Sequence, residues 1–192
     1  MKPRLSTYTC LLLILSLPAQ AHTGAGAAHS FTDGLLHPLL GIDHTLVMLA
    51  IGLWAAMLRG RALWLLPLSF LTMMIGGVGL QLAGFEMTAA EAWVAFSVLA
   101  SGAVLLGRQR ISAGLAGALV AVFALGHGYV HATEITDRAD ALVYAPGFLL
   151  TTAFLHGLGI AAGLLGGAKV KNISWAFGLL CTVVGAALLL AA

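Results

Sequence analysis

The stretch HPLLGIDHT, residues 37–45, carries His37, Asp43 and His44 into a long apolar run. A second stretch, GHGYVHATE, sets His127, His131 and Glu134 at i, i+4 and i+7. On a helix this spacing stacks all three on one face, with the two imidazoles about 6 Å apart at Cβ, close enough to share one ion. Imidazole and carboxylate donors without a thiolate suit borderline divalent ions such as nickel, cobalt or zinc better than Cu(I). The chemistry on offer is therefore the replacement of part of a cation's hydration shell by side-chain ligands.

Asp43 is the only acidic residue that the topology places within a span, Glu91 falling at the very start of its segment and counting with the acidic connection, and none of the apolar segments contains Lys or Arg to pair with Asp43. A carboxylate at membrane depth costs at least about 2.5 kcal/mol even on the lenient insertion scale, so a proton, a partner or a cation must compensate it. His37 and His44 lie seven residues apart, on one helical face but about 10.5 Å apart along the axis. Either they are successive stops for an ion, or Pro38 and Gly41 loosen the chain and let His37 fold back. Pro38 itself fits the first turn of a helix, where its missing N–H costs little. Met48, four residues after His44, offers a soft thioether or plain packing. His156, well into the fifth apolar segment, reads either as a later station on an inward path or as a histidine bonded to a neighbouring helix.

The elements that must position these groups follow from composition. The chain has 192 residues, 60% hydrophobic and 8% charged, with a mean hydropathy of +1.02, so it is a membrane protein. Apolar segments run over 34–58, 62–84, 89–107, 111–132, 141–167 and 172–192, each long enough to cross as a helix. The expected fold class is all-α, a single bundle of six transmembrane helices over residues 34–192. Connecting segments alternate between basic (Arg59/Arg61, Arg108/Arg110, Lys169/Lys171) and acid-bearing (Glu86/Glu91, Glu134/Asp137/Arg138/Asp140). Basic loops stay cytoplasmic, which places both mature termini in the periplasm. Residues 1–21 show a basic start, a short apolar core and an A-Q-A ending, the pattern of a cleaved signal peptide. Cleavage would leave residues 22–33 as a periplasmic segment whose new amino group and His22 can chelate a metal together, with His29 nearby. Cys10 leaves with the signal, so the mature chain has only Cys181 and no cysteine metal site. Glycine is abundant, and small residues let membrane helices approach closely. The six spans also divide into two groups of three, each led by a histidine-bearing helix, which allows an inverted repeat.

His37-Pro38 followed by Gly41, Asp43, His44, Met48 and Gly52-x-Trp54 resembles the HupE/UreJ family of nickel or cobalt permeases associated with bacterial hydrogenase and urease. The family's second motif, approximately FHG-x-(A/V)-HG-x-E, is similar to Gly126-His127-Gly128-Tyr129-Val130-His131-Ala132-Thr133-Glu134. Here Gly126 stands in place of Phe and Ala132 in place of the second Gly. The resemblance implies metal recognition and passage by His37, Asp43, His44, His127, His131 and Glu134. It also implies an inner-membrane permease rather than an enzyme, with no prosthetic group and Ni(II) or Co(II) as the transported substrate. Expected partners are the divalent ion and membrane lipid, with no nucleic acid, room for a homo-oligomer, and an indirect link to hydrogenase or urease maturation. The competing reading is an intramembrane zinc-dependent hydrolase, in which the same ligands activate a water and Ser97 or Ser101 stands nearby. Haem ligation by paired histidines is a third, which leaves Asp43 and Glu134 without a role.

Overall fold

A computed structural model describes residues 30–108, 110–134 and 138–192. The expected signal peptide and the tail residues His22 and His29 lie outside the described residues, as does the side chain of Glu134. The described chain is helical: α1 (Phe31–Leu40), α2 (Ile42–Leu58), α3 (Ala62–Leu82), α4 (Ala90–Gly107), α5 (Ala113–Glu134), α6 (Arg138–Leu165) and α7 (Val170–Ala191), with a 3-10 turn over Gly167–Lys169. Helices α3 to α7 are each long and apolar enough to cross a membrane, and α1 with α2 supply a sixth crossing if taken as one bent span. The chain is a multi-pass, all-helical membrane protein.

The first segment departs from the expected single helix over 34–58. It starts earlier, at Phe31, because Ser30 and Asp33 form a reciprocal capping box: the Asp33 N–H donates to Ser30 Oγ at 3.1 Å and the Ser30 N–H donates to Asp33 Oδ2 at 3.0 Å. It then breaks at Gly41, and α1 and α2 meet at 79°. Pro38 sits in the last turns of α1 rather than in a first turn, and a proline there prevents the helix from running on unbroken. The break releases the Pro38 carbonyl, which accepts the Thr45 hydroxyl at 2.6 Å and so ties α1 to α2 across the bend.

Helix α2 is buried along most of its length and forms the centre of the bundle. Around it the crossings pack in three close pairs, α3 on α5, α4 on α7, and α2 on α6. Exchanging the first three crossings for the last three leaves these pairings unchanged, the pattern expected of two related halves. Glycines make the approach possible: a Cβ on Gly128 would strike the Met74 carbonyl of α3, and one on Gly52 would strike the His156 carbonyl of α6. The basic connections gather at one end, where Arg59, Arg108 and Arg110 border one cleft and Arg108 and Lys171 border another. Alternating crossings require this grouping.

Candidate metal centre

The bend at Gly41 turns Asp43 into a first-turn residue of α2. There the open main-chain N–H groups and the positive end of the helix dipole favour a carboxylate, which a mid-helix position would not. Asp43 Oδ1 accepts the His44 main-chain N–H at 2.8 Å and lies 2.8 Å from His44 Nδ1. Gly41 has an ordinary backbone conformation, so its smallness serves space: a Cβ would come within 3.0 Å of Asp43 Oδ1 and 3.1 Å of His44 Nδ1. The other carboxylate oxygen, Oδ2, is buried with no hydrogen-bond partner.

Helix α5 brings the second set of donors to the same place. His127 Nδ1 lies 3.0 Å from His44 Nε2, and His131 Nε2 also contacts His44 Nε2. On its far side His127 Nε2 is 2.8 Å from Ser97 Oγ of α4, whose hydroxyl donates to the Val94 carbonyl at 2.7 Å. All three imidazoles are buried. The bend carries His37 back over them, with its ring 4.7 Å from that of His131 and 6.2 Å from that of His44. Of the two readings for His37, folding back is the one observed. Phe148 of α6 closes the apolar side, 4.5 Å from the His131 ring.

The partners fix the tautomers. Asp43 accepts from His44 Nδ1–H, which leaves a lone pair on Nε2. Ser97, having given its proton to Val94, accepts from His127 Nε2–H, which leaves a lone pair on Nδ1. In this tautomer pair the lone pairs of His44 Nε2 and His127 Nδ1 face each other, an arrangement that a bound cation would satisfy. Among the described residues no three His, Cys, Asp or Glu side chains are already spread around a vacant coordination point. The nitrogens of His44, His127 and His131 rest at or inside hydrogen-bonding separation.

The site thus unites His37, Asp43, His44, His127 and His131. It does not include Met48, which is packed in the apolar core, or His156, which lies deeper against Phe70. Glu134 ends α5, and its side chain is outside the described set. Sequence reasoning gave Ser97 a part only in the hydrolase reading. The hydroxyl is fully buried, donates to the Val94 carbonyl of its own helix and lies against the His127 ring. A serine in an apolar helix is a slight signal, and only the packing of α4 on α5 reveals its use.

A model of the HupE / UreJ protein family matches residues 10–188. The chain belongs to the HupE/UreJ family. It is 37% identical over 186 residues to Protein HupE of Rhizobium leguminosarum bv. viciae, covering 96% of this chain and 97% of that protein. No solved structure matches significantly. At Gly126, where the resemblance expects Phe, a Cβ would strike the Trp93 ring, whose Nε1–H donates to the Val122 carbonyl at 3.1 Å. The indole occupies the space that a side chain at 126 would need. Tyr129, within the same motif, holds the connection between α3 and α4, accepting the Met87 N–H at 3.0 Å and donating to the Phe85 carbonyl at 2.9 Å.

Proposed function

We propose that this chain is a secondary permease that takes up Ni(II) and/or Co(II) across the bacterial inner membrane. The observation that carries the reading is the meeting of His44, His127 and His131 nitrogens beside the unpartnered oxygen of Asp43. Such a group supplies neutral, exchangeable nitrogen ligands together with one negative charge, a combination that replaces water around a borderline divalent ion without a thiolate's grip. Family membership supports transport as the role, and through it a supply of metal to hydrogenase or urease maturation. The chain is read as a carrier, with the ion as substrate and no prosthetic group of its own.

In mechanism, His37 and the outer histidines exchange for water as the ion enters, and Asp43 compensates its charge in the low-dielectric interior. Ser97 and Asp43 hold the two inner-facing imidazoles in the tautomers that present lone pairs. The test is uptake of radiolabelled nickel and cobalt in transporter-deficient cells that express wild type or His44→Ala at matched membrane levels. Uptake above empty vector that falls at least tenfold in the variant supports the reading. Wild-type uptake equal to vector would overturn it.

A further inference from the structure

Past the outer cluster the bundle contains a second polar position. His156 of α6 is buried, and no residue of another helix hydrogen-bonds its ring nitrogens, the polar neighbour being the Thr152 main chain one turn back on its own helix. One turn earlier on the same helix Thr152 is also buried with an unpartnered hydroxyl, and Ser101 of α4 is a third such group. A buried polar group left unbonded costs about 1–3 kcal/mol, so an imidazole and a hydroxyl one turn apart in an apolar bundle call for something that visits them. Plain packing does not require an imidazole here, since an apolar side chain of similar size would fill the space without that cost.

His156 stands inward of the outer cluster. Its main chain packs against Gly52, which lies eight residues beyond His44 and therefore about 12 Å further along α2. Between the two levels sits the fully buried ring of Phe70, 5.5 Å from the His127 ring and 5.2 Å from the His156 ring. An aromatic ring in contact with an imidazole on either side divides one polar level from the next.

We infer that His156, with Thr152 beside it, is an inner station for the desolvated divalent cation, and that Phe70 is the partition the ion passes between the outer cluster and this station. The inference rests on the permease reading. An ion leaving three imidazoles and a carboxylate meets His156 as the next nitrogen donor on the inward side. The hydroxyl of Thr152 adds a weak oxygen ligand one helical turn away.

The discriminating experiment pairs two readouts on wild type, His156→Ala, His156→Gln and Asp43→Asn. Purified proteins are titrated with Co(II) and followed by visible absorption, and the same variants are assayed for cobalt uptake in cells at matched membrane levels. An inner station predicts that both His156 variants keep the outer Co(II) spectrum and its affinity within about threefold while uptake falls at least tenfold. Asp43→Asn should lose both. Wild-type uptake rates in His156→Ala or His156→Gln would overturn this inference alone, with the ring nitrogens then assigned to buried water. Loss of the outer spectrum in both His156 variants would also overturn it, since His156 would then belong to the scaffold of the first site. Absence of uptake by wild type would overturn the permease reading and the inner station with it.

Discussion

His44 Nε2 and His127 Nδ1 face each other across 3.0 Å, although α2 and α5 touch sparsely elsewhere. The two helices are held in place by other neighbours, α6 behind α2 and α3 behind α5. A cation bound between these nitrogens adds a direct link between two helices that otherwise meet mainly through α3. Metal binding should therefore stabilise the folded protein by mass action, about 2.7 kcal/mol when the free ion is a hundredfold above its dissociation constant. The thermal midpoint of detergent-purified wild type should rise with added Co(II), and that of His44→Ala should not. An equal rise in both would mean that the ion binds elsewhere.

Ser97 carries a second expectation. Ser97→Ala removes the acceptor for His127 Nε2–H and frees the ring to adopt the other tautomer. Outer-ligand partners of this kind are typically worth 10- to 100-fold in metal affinity. A Co(II) titration should show a loss in that range, with a stability loss of about 1–3 kcal/mol from the buried His127 Nε2–H left without its acceptor. Unchanged affinity would remove Ser97 from the site.

The bend predicts a separable effect. Thr45→Val keeps the side-chain shape but loses the hydrogen bond to the Pro38 carbonyl, a contribution of about 1 kcal/mol. Because that bond ties α1 across the break and α1 carries His37, metal affinity should fall severalfold while Asp43 and His44 keep their places on α2. Affinity equal to wild type would show that the bend stands without this bond.

Trp93 and Gly126 form a compensating pair. Gly126→Phe introduces the family's side chain where the indole already lies, and overpacking of this kind costs about 1–3 kcal/mol. Adding Trp93→Ala should recover much of that loss, which a double-mutant cycle on thermal stability reads directly. If the double variant is no more stable than the sum of the single changes, the two side chains do not share this space.

Much of this architecture is written in composition. Runs of about twenty apolar residues must cross as helices, and the alternation of basic connections assigns them to one end, where Arg59, Arg108 and Arg110 share a cleft. His127 and His131 were legible as a pair because helical periodicity alone puts them on one face. The position of His37 was not, because Pro38 and Gly41 announce a weak point but not the direction of the bend. That direction depends on what the His37 ring meets, namely His131 and Phe148 from distant helices. Ser97 was hidden for a related reason: it is one of two serines in α4, and which one meets a histidine depends on how α4 rotates against α5. Met48 shows the converse, a residue on the expected stripe that packing assigns to the core.

The central claim is that a buried carboxylate and its neighbouring imidazoles recognise a divalent ion for passage across the membrane. Asp43→Asn tests it most directly, because it keeps the side chain's size and removes only the charge and one oxygen. The measurement is uptake of radiolabelled nickel and cobalt, each with and without competing zinc, in transporter-deficient cells with wild type or Asp43→Asn at matched membrane levels. The account predicts uptake by wild type and a fall to vector level in the variant. Equal uptake by the two proteins would contradict it.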